Sequence, residues 1–322
     1  MSRHLKLFFH DNCFDGASSA AIFADYYQKN LHPGSKVTYQ GVQHQQGDPF
    51  AGLELKGDDN ACVDFRYCAS PKMTWWFDHH VSAFQPEALR EHFEASAQGQ
   101  KFFDPKASSC ARFMAEILRD QFSHDFSSGE HWEELIEWAD IVDRARFESA
   151  QAAVDLARPA MQLVAWIEQN HDAELSSKFI RQLGHHSLSE IAALPWIKDR
   201  VNALVSEHES HVELIRSKSR IDKDVVFFDL TDDKVAAHNK FISYFLYPDC
   251  HYTVGLTLSP VRVKVSVGSN PWKGPCEVDI ARICEQYGGG GHPVVGAVSL
   301  PIEDVARARD IAKEIATKLR GL

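Results

Sequence analysis

The chain lacks any Cys-x-x-Cys pair, any apolar run approaching ~18 residues, and any excess of positive charge. Its seven cysteines, Cys13, Cys62, Cys68, Cys110, Cys250, Cys276 and Cys284, are odd in number and scattered, several of them within apolar runs. That pattern excludes a disulfide framework and a ribbon-type structural zinc, and it predicts reduced thiols in a cytoplasmic protein. No membrane span is expected, and the apolar run Leu5 to Phe9 is too short for a signal peptide. Lys and Arg total 34 against 45 Asp and Glu, a net charge of −11, so the surface as a whole should repel a long polyanion. A small phosphorylated molecule fits that balance better than duplex DNA, and any nucleic acid would need a local basic patch or short length. Tandem repeats are also missing, and the one low-complexity tract is Gly288–Gly291.

What is present is enough chain, 322 residues, for two domains at ~100–200 residues each. Short apolar runs (Leu5–Phe9, Val37–Gln40, Ala61–Phe65, Trp75–Phe77) alternate with helical patterns (Ser18–Tyr27, Glu87–Phe93, Ser109–Phe122, His131–Val142). This predicts an α/β domain with a mostly parallel sheet. From about 150 to 220 the pattern is helical throughout, with Ala152–Gln169, Ser177–Leu183 and an amphipathic stretch from Trp196 to Lys218. Strand patterns return at Val225–Phe228, Tyr252–Leu258, Arg262–Val267 and Val294–Leu300, with helices at Ala236–Leu246, Val278–Tyr287 and Ile302–Leu319. The expected organisation is an N-terminal domain over 1–190, a helical linker over 191–222 and a smaller α/β domain over 223–322.

The residues with chemistry cluster at strand ends. The first strand closes in His10-Asp11-Asn12-Cys13-Phe14-Asp15-Gly16, ahead of small residues that open a helix. His, Cys and Asp at that spacing can face one cation, although an Asp/Gly turn with an N-cap explains the same letters. Ala61-Cys62-Val63-Asp64-Phe65-Arg66 ends a strand in a carboxylate able to bridge two cations, or in a loop aspartate paired with Arg66. The run Met73 to Phe77 ends in Asp78-His79-His80, one carboxylate and two imidazoles in succession. Asp140 and Asp143 share a helix face before Arg144 and Arg146, a pairing suited to metal and phosphate or equally to a solvated helix end. In an open parallel sheet, ligands bind beyond the carboxyl ends of the strands, which is where His10, Asp64 and Asp78 to His80 fall. Near the C-terminus, Gly288-Gly289-Gly290-Gly291-His292 between a helix and a strand lets backbone approach an anion, with Lys264, Lys273 and Arg282 nearby in sequence.

Taken in order, His10-x-x-Cys13-x-Asp15-Gly16, Val63-Asp64, Asp78-His79-His80, Ala107-Ser108-Ser109, Asp140-x-x-Asp143-x-x-x-Phe147 and Gly288 to His292 resemble the DHH phosphoesterase family. The resemblance spans essentially the whole chain, with the DHH-associated C-terminal domain behind the catalytic one. It is similar to the stand-alone nanoRNase, pAp-phosphatase and cyclic-dinucleotide phosphodiesterase members. It implies a hydrolase with two divalent ions, Mn2+ first, that cleaves phosphoesters of small nucleotides or short oligonucleotides with a two-metal-activated hydroxide. Carried over by position, His10, Cys13 and Asp64 hold one ion, and Asp15, Asp64, His79 and Asp143 the other. His80 faces the substrate phosphate and Asp78 orients a ligating histidine, so that His80, Asp78 and Asp64 form the catalytic group. Gly289, Gly290, Gly291, His292, Ser269, Asn270 and Arg144 join His80 as substrate contacts. The implied partners are such a nucleotide substrate, no long duplex and no membrane, with a homodimer allowed.

Two positions depart from the family pattern. Cys13 stands where aspartate is usual, and a thiolate favours Zn2+ or Fe2+ over Mn2+. Asp11 is the other candidate for that ligand, although on an extended strand it points away from the His10 face. Gly268 stands where nucleotide-binding members carry arginine, and Ser269, Asn270, Trp272 and Lys273 follow as alternative contacts. Phosphoanhydride hydrolysis of the pyrophosphatase or exopolyphosphatase kind is the second reading, and a decayed nucleotide-binding regulatory protein the third.

Overall fold

The computed structural model describes residues 2–45, 47–96, 99–127 and 129–321. In chain order its elements begin β1 (His4–His10), α1 (Phe14–Tyr26), β2 (Lys36–Val42), β3 (Asp59–Val63), β4 (Trp75–Asp78), α2 (Ala88–Ser96), β5 (Lys101–Phe103), α3 (Cys110–Phe122) and α4 (His131–Asp143). Helices α5 (Ala150–Val154), α6 (Pro159–Glu168), α7 (Ala173–Leu183), α8 (Leu188–Ala192) and α9 (Pro195–Lys218) follow. Then come β6 (Arg220–Asp222), β7 (Val225–Asp229), α10 (Ile242–Leu246), β8 (Tyr252–Leu258), β9 (Arg262–Ser269), α11 (Ile280–Glu285), β10 (Gly290–His292), β11 (Val295–Pro301) and α12 (Val305–Arg320). The chain divides into two compact units, Met1–Phe147 with Leu156–Asn202, and Glu148–Asp155 with Ala203–Leu322.

The fold is α/β. In the first unit the strands run in the order β2-β1-β3-β4-β5, every neighbouring pair parallel. Chain order reverses between β1 and β3, so a crevice opens beyond their carboxyl ends. Covered parallel strands read as unbroken apolar runs because both faces are buried, and β4 is the clearest case. Trp76 packs on one face with Phe84, Phe93 and Phe103, while Trp75 and Phe77 pack on the other with Phe23 and Phe122 or Phe102. Every residue of α1 is buried; its small residues Ala17 to Ala21 let it lie close against its neighbours.

In the second unit the order is β10-β11-β9-β8-β7-β6, with β7 and β8 parallel and the remaining neighbours antiparallel. Val254, Leu256, Val263, Val265 and Val298 of this sheet pack with Ile280 and Cys284 of α11 and with Ile311, Ile315 and Leu319 of α12 in one apolar core.

Several elements differ from the sequence expectation. The helix expected over Ala152–Gln169 is two helices, because Pro159 holds Arg158 extended (φ −76°, ψ 128°) and restarts the helix at its own position. Ala236–Leu246 is helical only from Ile242, since the Asn239 side chain takes the Phe241 amide and turns the chain first. Strands β5, β6 and β10 are each three residues long, too short for an alternation to register. Among the described residues no helix is long and apolar enough to cross a membrane.

Candidate metal centre

Backbone geometry explains why each ligand sits where it does. After β1 the chain turns through Asn12, whose φ of 56° is left-handed, and enters α1 with Cys13 as the N-cap. Gly16 sits in the first turn because a Cβ there would lie 2.3 Å from the His10 carbonyl oxygen. Asp64 leaves β3 with φ 57°, a region that Asp tolerates better than most residues. Its amide donates to the Phe77 carbonyl at 2.9 Å, and the Trp76 indole donates to the Phe65 carbonyl at 2.8 Å. Strand β4 therefore locks the turn that aims Asp64 into the crevice.

The side chains of four segments converge there. His10 Nδ1 lies 3.3 Å from Asp64 Oδ2. His79 Nε2 lies 3.6 Å from Asp64 Oδ1, 3.5 Å from Asp143 Oδ2 and 3.9 Å from Asp15 Oδ2. The ligand atoms of His10, Cys13 and Asp64 lie within 4.8 Å of one another, as do those of Asp15, His79 and Asp143. So do those of Asp64, His79 and His80. Asp64 is fully buried, yet neither of its oxygens has a hydrogen bond, and His10 Nδ1 and His79 Nε2 are likewise buried and unpartnered. An uncompensated buried carboxylate costs several kcal/mol, and a cation among this donor set would offset a cost that the chain itself meets only with imidazoles. Carboxylate, imidazole and thiol donors suit divalent ions, and three overlapping groupings, two sharing Asp64 and two sharing His79, offer room for more than one.

Electrostatics agree. Burial pushes the Asp15 carboxyl well up, as do Asp64 and Asp143, and burial with Asp64 raises Asp143 to about 6. Burial works against charge on Asp64 as well, but the His10 and His79 imidazoles hold its carboxyl below the usual range. His79 is raised although burial opposes it, because Asp64, Asp15 and Asp143 surround its ring. The His79 proton thus supplies positive charge where a divalent ion would supply more, and His79 Nε2 would have to release it to hold such an ion. Burial, Asp64 and Asp15 all push the Cys13 thiol up, a shift that a coordinated cation reverses.

The supporting contacts divide the two histidines. His79 Nδ1–H donates to the Ala107 carbonyl at 3.3 Å, leaving Nε2 for the crevice. The His80 ring instead donates from Nδ1 to Asp78 Oδ1 at 2.7 Å, and that oxygen also accepts the amides of His79 (2.8 Å) and His80 (3.2 Å). Asp78, implied by the resemblance to orient a ligating histidine, here orients the His80 ring: two residues along an extended chain return to the same face, and adjacent ones do not. Asp15 accepts the Cys110 and Ala111 amides at the start of α3, at 2.7 and 2.9 Å, and Ser109 caps that helix. The Ala107 to Ala111 backbone is thus a second tier of the site, which spacing alone does not reveal.

Other expected residues fall elsewhere. Asp11 lies against Gly41 of β2 and bonds the Asn12 amide, outside the ligand groupings. Asp140 pairs with Arg112 at 3.3 Å, while Arg144 donates to the Ser108 and Lys106 carbonyls at 3.2 and 2.9 Å. In the second unit, Gly290, Gly291 and His292 form β10, an edge strand paired with β11, so the glycine tract is in part sheet. Gly291 at φ 153° is needed there because a Cβ would lie 2.2 Å from the Val295 carbonyl oxygen, and the Gly289 amide donates to the Cys284 carbonyl. Ser269 donates to the Val294 carbonyl at 3.1 Å. Asn270, expected as a substrate contact, is buried; its amide nitrogen donates to the Cys250 and Pro248 carbonyls, and its oxygen accepts the Trp272 amide. At Gly268 the Tyr244 hydroxyl fills the space a side chain would enter, 2.6 Å from where a Cβ would lie.

One neighbour was not anticipated. The His44 ring lies 5.0 Å from His10 and 4.8 Å from Phe65, and burial with the positive charge of His10 and Arg66 pushes it down to about 4. His44 lies in a loop of irregular backbone, where neither period nor motif marks it.

The chain matches no protein-family model and no curated protein sequence. Among solved structures it superposes on the pGpG-specific phosphodiesterase PggH from Vibrio cholerae with a TM-score of 0.71 and 21% identity, over 99% of each chain. Manganese-bound RecJ from Thermus thermophilus matches with a TM-score of 0.56 and 11% identity, over 98% of this chain and 52% of that one. The DHH domain of a member of a ribosomal-protein family gives 0.51 and 12%, over 98% and 87%. The chain has the fold of the DHH family.

Proposed function

We propose that this protein is a metal-dependent phosphoesterase that hydrolyses phosphoester bonds in small nucleotides or short oligonucleotides. The observation that carries this reading is the set of buried, unpartnered ligand atoms around Asp64 at the point where strand order reverses. In it His10, Cys13 and Asp64 would hold one divalent ion, and Asp15, His79 and Asp143 the second, with Asp64, 3.6 Å from His79 Nε2, completing that set; Mn2+ is the first choice, with Zn2+ or Fe2+ favoured by the Cys13 sulfur. Such ions act as Lewis acids toward a phosphoryl oxygen and make water acidic enough to attack at neutral pH.

The chain's own residues do the rest. His80 is fixed through Nδ1 by Asp78, which leaves Nε2 to hold a phosphate oxygen or to pass a proton to the leaving group. Asp78 keeps that ring in one tautomer, as a carboxylate behind a working histidine does elsewhere. Arg144, held to the backbone of Lys106 and Ser108, offers its remaining N–H groups to an anion. In the second unit we assign Gly289 to His292 and Ser269 to gripping a distal phosphate, and drop Asn270 from that role. The likeness to a pGpG-specific phosphodiesterase makes a linear dinucleotide the first substrate to try.

The test is a grid of Mn2+, Zn2+, Fe2+ and Co2+ against linear dinucleotides, cyclic dinucleotides, 3′-phosphoadenosine 5′-phosphate, pyrophosphate and a base-free phosphodiester. Cation-dependent cleavage of a phosphoester supports the proposal. Cleavage of pyrophosphate alone would move the chain to the phosphoanhydride hydrolases, and no cleavage with any ion would refute an enzyme.

A further inference from the structure

A cavity of about 760 Å³ opens in the first unit next to the Asp64 turn, bounded by the loop between β2 and β3, by residues 66–70 and by residues 85–89. Its volume is that of a small-molecule site. Pro49, Phe50, Leu55 and Leu89 give it apolar walls, and two charged side chains enter it, Arg66 and Asp48. Phe50 packs edge-on against Phe65, the residue between Asp64 and Arg66, so one wall of the cavity rests on the turn that carries Asp64.

Arg66 is the informative residue. Its Nε is buried without a hydrogen-bond partner, and among the described residues the guanidinium makes no ion pair, with Asp64 or with Asp48. The Nε itself is shut off from the cavity, but the side chain lines it beside the polar residues Gln45, Ser70 and Gln85, and among the described residues the chain supplies its guanidinium no acceptor. Asp48 is fixed by its Oδ1, which accepts the Phe50 amide at 2.9 Å, and it offers acceptors only. A donor-only fork and an acceptor-only group between apolar walls match one nucleobase best. Guanine presents O6 and N7 as paired acceptors on one edge and N–H donors on another, whereas adenine sets a donor beside N7.

We propose that this cavity is a guanine-binding subsite, with Arg66 reading O6 and N7 and Asp48 accepting from the base N–H groups, for the nucleoside whose phosphate lies at the metal centre. The placement of that phosphate rests on the phosphoesterase reading; the base recognition does not. Arg66 and Asp48 are specificity residues, and base choice is set within the first unit.

Calorimetric titration with GMP and AMP in the presence of Mn2+ tests it, because the two ligands carry the same phosphate and differ only in the base. GMP should bind about ten- to a hundredfold more tightly than AMP. Arg66→Met and Asp48→Asn should each reduce that ratio severalfold or more, and Leu89→Trp, which fills the cavity, should weaken GMP until it binds no better than AMP. Asn keeps the oxygen that accepts the Phe50 amide, so Asp48→Asn remains informative if Arg66→Met fails to fold. Equal affinities in the wild type, or a ratio that survives Arg66→Met, would overturn the subsite. Equal affinities that both fall in Arg66→Met would assign the guanidinium to a phosphate and also overturn it. Hydrolysis of a base-free phosphodiester reports on the phosphoesterase reading separately: a chain that prefers GMP through Arg66 but cleaves nothing keeps the subsite and loses the enzyme.

Discussion

Each unit contains a cluster of aspartates, and the two are built on opposite plans. In the second unit Asp229 accepts the Thr231 amide and hydroxyl through Oδ1 and Arg309 Nε through Oδ2 at 2.7 Å, and Arg309 reaches on to Thr231 and Asp232. The cation is part of the chain, and the cluster closes on itself. In the first unit Asp15, Asp64 and Asp143 have no Lys or Arg partner among the described residues; their ion-pair partners are the imidazoles of His10, His79 and His80, and Asp15 also accepts two backbone amides. Both Asp64 oxygens are buried without a hydrogen bond. Polar groups that satisfy one another report on stability, and groups that share the same deficiency report on a ligand.

The strongest way to break this contrast is Asp64→Asn, which keeps the left-handed backbone because Asn also tolerates φ near 57°. Hydrolysis should fall by more than about 100-fold, above the range of a mere supporting contact. Without divalent ions the thermal midpoint should fall at neutral pH, since the His10 and His79 imidazoles hold the Asp64 carboxyl below its usual range and that charged pairing is lost. Added Mn2+ should raise the midpoint of the wild type but not of the variant. A variant that melts early yet still hydrolyses would make Asp64 structural. Asn270→Ala in the second unit should behave in the opposite way. It leaves the Cys250 carbonyl and the Trp272 amide without their partner and should cost about 1–3 kcal/mol in denaturant unfolding, with no loss in base-free phosphodiester turnover. A turnover defect without destabilisation would return Asn270 to the substrate contacts.

The same contrast explains what could be read in advance. His10, Asp64 and Asp78 to His80 were legible because they stand at the ends of apolar runs, and a parallel sheet brings such ends together whatever the loops do. The α/β class followed from the same alternation of runs. What stayed hidden depends on backbone contacts between distant segments. The Ala107 carbonyl behind His79, the Cys110 and Ala111 amides behind Asp15, and the Tyr244 hydroxyl over Gly268 have no periodic signal. Asn270 shows the same limit, because an asparagine that closes a loop and one that contacts a ligand look alike until its partners are seen. Arg66 was visible as a letter, but its lack of a partner was not.

Cys13→Asp sharpens the comparison within the first cluster. Cys13 shares a ligand grouping with His10 and Asp64, and a carboxylate there exchanges a soft donor for a hard one. The ratio of activity with Mn2+ to activity with Zn2+ should rise by about tenfold, the lower end of the effect expected for donors that tune a metal site. An unchanged ratio would place the sulfur outside the coordination of either ion.

The smallest effect is the pH dependence of stability, which should have opposite signs in the two clusters when divalent ions are removed. Burial pushes the Asp229 carboxyl up, but Thr231 and Arg309 outweigh it and hold it below the usual range. A depressed carboxyl stabilises the fold above its unfolded value of about 3.9 and loses that contribution as pH falls through the folded one. Partial exposure screens it to under about 1 kcal/mol. Asp143 is raised to about 6 by burial and by Asp64, so its sign reverses: the folded state favours the proton, and stability is lost as pH rises from about 4 through 6. Thermal midpoints in a chelator should therefore show Asp229→Asn below the wild type at pH 6 and converging with it toward pH 3. Asp143→Asn should meet the wild type at low pH and exceed it above pH 6. Parallel displacement of either variant at every pH would mean that its carboxylate acts through packing, and the contrast in charge between the two clusters would fail.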